Sequence, residues 1–115
     1  MITDDREPLE DILEAVARIE RYASRGREVF IQDELVQVWI VHHMQIIGEA
    51  ARKASAALRE SHPEVPWSQV VAMRNILVHD YFGVDIEEVW AAVVRDLPDL
   101  KRKIEVILRE LGGLG

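Results

Sequence analysis

The segment from Asp33 to Ile47 contains neither glycine nor proline, and its centre, VQVWIVHHMQII, is apolar on almost every side. This pattern predicts one long helix from about Asp33 to Leu58. A helix that is apolar all round needs cover on more than one face. In so small a chain the cover comes either from a central position in the chain's own bundle or from a second copy. We expect the second copy, and therefore a homodimer.

The rest of the chain predicts further amphipathic helices. Pro8 is suited to the first turn of an early helix, and Pro66 begins another helix that ends near His79. Asp85 is placed to cap a later helix, which Pro98 should kink or restart. With short connections and no internal repeat, we expect an all-α fold. It is an antiparallel up-and-down bundle of four to five helices, with residues 1–115 forming a single domain.

Composition excludes several classes of function. The chain has 14 basic and 21 acidic residues, a net charge of −7, which argues against broad, non-specific duplex binding. The absence of cysteine excludes disulfides and thiol chemistry and fits a cytoplasmic location. The start, MITDDREPLE, resembles no export signal, and no apolar run reaches the roughly 18 residues of a membrane span. We expect no membrane association.

One stretch, RNILVHDY, combines a cation, an amide, an imidazole, a carboxylate and a phenol. Histidine exchanges protons near neutral pH, and arginine binds phosphate oxygens with a planar, permanently charged fork. Together they suit attack of an RNA 2′-hydroxyl on its neighbouring phosphorus. His79 would be general base or acid, and Arg74 would stabilise charge at the phosphorus. This chemistry needs no metal and no cofactor.

The spacing of Arg74 and His79 sets a condition on that site. Five residues separate them by about 140° around a continuous helix, so they do not share a face. Either the helix ends between them or the site is composite. A dimer axis near this helix would bring two copies of each residue into one cleft.

The motif of an arginine, a polar residue, three variable positions and a histidine resembles that of the HEPN superfamily, here as Arg74, Asn75 and His79. Tyr81, the preceding PW, the earlier IIGEAA and the later DLPDLK are in register with it. Together they resemble the HepT toxin branch of that superfamily over most of the chain after the first helix.

This resemblance implies that Arg74 and His79 are the catalytic pair of a metal-independent endoribonuclease, that Asn75 supports them, and that the cleft lies in a homodimer interface. It further implies a toxin of a type VII-like toxin-antitoxin system. A minimal nucleotidyltransferase antitoxin, MntA-like, would silence it by adenylylating Tyr81. The alternative is a catalytically silent HEPN-like subunit that binds nucleotide or substrate for a nucleotidyltransferase.

Each site residue also has a purely structural interpretation. Arg74 could be a surface salt-bridge partner, His79 with Asp80 could end a helix, and Tyr81 could be an ordinary half-buried aromatic. Glu49 could orient Arg74 or lie in solvent.

Other candidates carry weaker signals. His42 and His43 point about 100° apart on a helix, so they predict no metal site, and one of them should face the core or a dimer seam. The three tryptophans continue apolar stripes and predict core or interface positions. Basic residues that could assist at the site are Arg52, Lys53 and Arg59.

Overall fold

The computed structural model describes residues 4–79 and 85–112, apart from the side chains of residues 76, 78 and 79. All regular elements in this part are helical, which confirms the all-α prediction. The helices are α1 (Arg6–Ala23), α2 (Arg27–Gln32), α3 (Glu34–Lys53), α4 (Ala56–Ser61), α5 (Trp67–His79), α6 (Ile86–Ala91) and α7 (Leu97–Gly112), with a π turn (Ala92–Asp96) between α6 and α7. None of the described helices combines the length and the apolar character that crossing a membrane requires.

The long helix α3 packs between α1 and α5, and α1 also packs against α7. Side chains along the middle of α3, such as Ile40, Met44 and Ile47, are almost completely buried within the single chain. The burial of the middle of α3 is therefore explained by the alternative prediction, a helix that lies centrally in the bundle of its own chain. The expectation of a homodimer depends instead on the apolar side chains that α3 exposes near its start, Leu35 and Val38.

The prediction of one helix from Asp33 to Leu58 is wrong, because the chain breaks between α3 and α4. Ser55 is extended, and its hydroxyl oxygen accepts a hydrogen bond from the Leu58 amide at 3.1 Å, which caps α4. The same hydroxyl donates to the Asp5 carboxylate at 2.7 Å, and the Ser55 amide donates to that carboxylate at 2.9 Å. The start of α1 thus stabilises the break, a long-range interaction that the local pattern does not contain.

The helical path is continuous at Pro98, but regular α-helical geometry is interrupted by the π turn and restarts at Leu97, one residue before the proline, as predicted. Asp85 caps α6 as predicted, accepting a hydrogen bond from the Glu87 amide at 2.9 Å. Proline has no amide hydrogen and its ring crowds the preceding turn. The wider π turn directly before α7 accommodates both effects without ending the helix.

Helices α3 and α5 are in close contact at Gly48. A Cβ atom built on Gly48 would lie 2.1 Å from the Arg74 Cβ and 3.1 Å from the Val70 carbonyl oxygen. No real Cβ tolerates the first distance, so this crossing requires glycine. It places the Arg74 side chain directly against the backbone of α3.

We predict that Gly48→Ala lowers the free energy of unfolding by about 1–3 kcal/mol, because the added methyl group pushes α5 away from α3. Urea unfolding followed by circular dichroism measures the change. Gly112→Ala is the control, since no described atom beyond its chain neighbours and its own helix backbone lies within 4 Å of its Cβ position. Equal behaviour of the two variants would contradict this account of the crossing.

Candidate active site

The predicted site lies where α5 runs antiparallel to α3. Gly48 contacts Arg74, and three residues earlier on α3 the Gln45 amide Nε2 donates to the Leu77 carbonyl at 3.2 Å. Moving towards the start of α3 therefore means moving towards the end of α5. Between the two helices is a shallow groove of about 200 Å³, lined by His42, Gln45, Ile46, Glu49 and Arg74.

Arg74 projects into this groove with 30% of its side chain exposed. Its Nη1 donates to the Asn75 Oδ1 at 3.1 Å, and its Nη2 lies 3.5 Å from the Glu49 Oε2. Of the two interpretations of Glu49, the structure therefore shows the contact with Arg74. The guanidinium is held from two sides and still reaches solvent, which is what binding an external anion requires.

Glu49 is shared between two arginines. Its Oε1 accepts a hydrogen bond from the Arg52 Nη2 at 2.7 Å. Its Oε2 is buried and has no hydrogen-bond partner among the described residues. The hydrogen bond from Arg52 lowers the pKa of Glu49 below its usual value, burial acts in the opposite direction, and the nearby charges of Arg52, Arg74 and Lys53 lower it further.

This corner of the molecule is locally basic although the chain is acidic overall. Three cations, Arg52, Lys53 and Arg74, act on the single carboxylate of Glu49. Such a local excess of positive charge can attract a phosphate despite the net charge of −7. Arg59, by contrast, donates to the carbonyls of Ala54 and Arg52 and so closes the end of α3.

The described part of α5 runs unbroken from Trp67 through Arg74 to His79. The helix therefore does not end between the two residues, and on an ideal helix they point about 140° apart. The predictions for the His79 side chain and for Asp80 and Tyr81 lie outside the described residues. The spacing allowed either a helix that ends between Arg74 and His79 or a site built from two subunits. Because the helix is continuous between them, the second possibility remains.

The two adjacent histidines separate as predicted. His43 is buried, and its ring Nδ1 donates to the Trp39 carbonyl at 2.7 Å. His42 is exposed and lines the groove with Arg74. Within residues 4–79 and 85–112, no group of three or more histidine, aspartate or glutamate side chains is placed to hold a metal ion.

The three tryptophans pack as expected of core residues. The Trp67 Nε1 donates to the His62 carbonyl, and the Trp39 Nε1 donates to the Arg18 carbonyl. Trp90 stacks on the buried ring of Phe30. All three rings are therefore used for packing inside the chain.

The sequence patterns did not predict that His42, Gln45 and Ile46 line the groove, nor that Gly48 lies against Arg74. The signal for Gly48 was present, because a glycine inside an otherwise unbroken helical pattern usually marks a close approach. The sequence predicts no metal site for His42 and a place in the core or a dimer seam for one of the pair His42 and His43, but no place in this groove. The antiparallel register places it beside the end of α5, and no local pattern could indicate this.

The chain matches the family model described as ribonuclease HepT-like over residues 12–107. It is 40% identical over 101 residues to a Thermococcus cleftensis protein named "Probable ribonuclease HepT", covering 84% of this chain and 89% of that protein. It is 35% identical over 103 residues to "Putative RNase TTE0752" of Caldanaerobacter subterraneus subsp. tengcongensis, covering 89% of this chain and 92% of that protein.

No solved structure was found to match the chain. The family model covers well over half of the residues. Each of the two relatives aligns over most of its own length and over most of this chain. The chain therefore belongs to the ribonuclease HepT-like family.

Proposed function

We propose that this chain is a metal-independent endoribonuclease and the toxin of a type VII-like toxin-antitoxin system. Arg74 and His79 form its catalytic pair and Asn75 supports them. The observation that carries this proposal is the groove between α3 and α5, where a partly exposed guanidinium is held against the helix backbone at Gly48. Membership of the family supports RNA as the substrate.

The reaction is transesterification of RNA. His79 removes the proton from a ribose 2′-hydroxyl, whose oxygen forms a bond to the adjacent phosphorus while the bond to the 5′-oxygen breaks. The leaving oxygen takes up a proton, and the products are a 2′,3′-cyclic phosphate and a 5′-hydroxyl. Arg74 stabilises the additional negative charge on the phosphorane oxygens. Asn75, which accepts a hydrogen bond from Arg74, limits the rotation of the guanidinium.

The proposal includes a homodimer. One face of α3 carries Leu35, Val38, His42, Gln45 and Glu49 at alternating spacings of three and four, as in the contact seam of paired helices. At the start of this face Leu35 is 80% exposed and Val38 is 47% exposed. Pairing of two chains along this face would bury the apolar end.

Such pairing also brings two grooves together. Arg74 of one chain could then face His79 of the partner subunit, which removes the difficulty that two residues five positions apart on an ideal helix do not share a face. A second imidazole in the same cleft supplies the acid that protonates the leaving oxygen while the first acts as base. The open face of α3 and the chemistry of two proton transfers thus favour the same assembly.

The proposed antitoxin is a minimal nucleotidyltransferase that transfers adenylate from ATP to the Tyr81 phenol. Tyr81 is two residues beyond His79 in the sequence. A phosphodiester attached there would add negative charge and bulk close to the phosphate site formed by Arg74. Modification and RNA binding would exclude each other, so the toxin would be silent while modified.

Arg74→Ala and His79→Ala are each expected to reduce RNA cleavage by at least about 100-fold, because each removes a group that acts on the transition state. Cleavage of a fluorogenic RNA by the purified chain measures this, and adding a chelator should leave the wild-type rate unchanged. Arg18→Ala is the control, since Arg18 forms a surface ion pair with Glu14 at 2.8 Å.

Growth on expression separates the two classes of function. The active chain alone should arrest growth, and the Arg74→Ala and His79→Ala chains should not. If all three chains behave alike and none cleaves RNA, the nuclease proposal fails and the silent nucleotide-binding subunit takes its place.

Incubation with the cognate nucleotidyltransferase and ATP should add adenylate to Tyr81 and abolish cleavage. Intact-mass spectrometry and peptide mapping detect the addition, and Tyr81→Phe should stay unmodified and active in the same mixture. An unchanged mass, with a partner shown to be active on another acceptor, would contradict this part of the proposal.

A further inference from the structure

We propose that Glu49 is a positioning residue that aims the Arg74 guanidinium at the scissile phosphate, and that Arg52 keeps Glu49 from closing on Arg74 as a tight pair. This inference rests on the proposed ribonuclease function. It assigns a role in that site to the GE pair of the IIGEAA segment and to the arginine three residues after Glu49.

The two residues of the GE pair contact the same side chain. Gly48 leaves space for the Arg74 Cβ and Cγ, which would lie 2.1 and 2.9 Å from a Cβ at that position. Glu49 then places its Oε2 3.5 Å from the Arg74 Nη2. The stem and the head of the arginine are therefore both held by consecutive residues of α3.

The contact between Glu49 and Arg74 is attractive but loose. The Glu49 Oε2 is buried without a hydrogen-bond partner among the described residues, and the hydrogen bond to this carboxylate comes from Arg52, at Oε1. A bidentate pair between Glu49 and Arg74 would occupy the donors that a phosphate needs. With Arg52 bound to Oε1, Glu49 attracts Arg74 and leaves its donors available.

Orientation is valuable here because Arg74 is otherwise a long side chain with many rotamers. A guanidinium that must find its position for each substrate loses the rate gained from preorganised charge. Holding Nη1 by Asn75 and attracting Nη2 towards Glu49 defines the plane of the fork. Glu49 therefore acts on the rate of the chemical step more than on the binding of RNA.

The test compares Glu49→Gln, Glu49→Asp and the control Glu14→Gln, which removes an equivalent carboxylate from the surface pair with Arg18. We expect Glu49→Gln to lower kcat by about tenfold or more with KM changed less than about threefold. Glu49→Asp keeps the negative charge and should retain clearly more activity than Glu49→Gln. Glu14→Gln should match the wild type. Equal losses in Glu49→Gln and Glu49→Asp, or full activity of Glu49→Gln, would overturn the inference.

A second measurement needs no RNA. Nitrogen-15 NMR reports the rotation of the Arg74 Nη groups, whose signals are assigned from their loss in Arg74→Ala. We expect faster rotation in Glu49→Gln and no change in Glu14→Gln. Unchanged rotation in Glu49→Gln would overturn the positioning role whether or not the chain cleaves RNA. Absence of cleavage by the wild type, with the expected change in rotation, would instead contradict the proposed function.

Discussion

The candidate site depends on how closely two helices cross. At Gly48 the backbone of α3 approaches α5 to a distance that no side chain on α3 would permit. This approach presses the stem of Arg74 against α3 and brings the next residue, Glu49, within 3.5 Å of its guanidinium. A looser crossing would leave Arg74 as an ordinary flexible surface arginine. The position of Arg74 in the groove thus requires that residue 48 has no Cβ atom.

The charges near this helix contact make it suitable for binding a phosphate. The chain is acidic as a whole, yet the Glu49 carboxylate accepts a hydrogen bond from Arg52, lies 3.5 Å from Arg74, and has its pKa lowered by both charges and by that of Lys53. Because the pKa of Glu49 is lowered, it is ionised at neutral pH. Its favourable interactions are fully present above the ordinary pKa of a glutamate and are lost as the pH falls through the lowered value. The site is therefore organised under the conditions in which a histidine can exchange protons.

Much of this could be predicted from local sequence patterns, and the failures have a common cause. Helical spacing predicted the all-α class and the cap at Asp85, because each depends on neighbouring residues. The break between α3 and α4 was missed because it is stabilised by Asp5, 50 residues from Ser55. The burial of the middle of α3 by its own chain was likewise predicted only as the alternative, because it depends on tertiary packing against α1 and α5.

The residues of the site divide in the same way. A motif in one helix predicted Arg74 and its neighbour Asn75, which the structure places in contact. The contribution of His42 to the groove depends on the register between α3 and α5, which no single segment specifies. The catalytic roles of Arg74 and His79 stay a prediction until chemistry is measured.

The central proposal is that Arg74 and His79, which lie five positions apart on α5, meet across two subunits. Mixing Arg74→Ala and His79→Ala chains, after unfolding and refolding them together, tests it directly. If the site is composite, random pairing places one intact pair in half of the dimers, and the mixture becomes clearly more active than either parent. About a quarter of the wild-type activity is the upper limit, because these mixed dimers lack the second imidazole. A mixture as inactive as its two parents would contradict the claim.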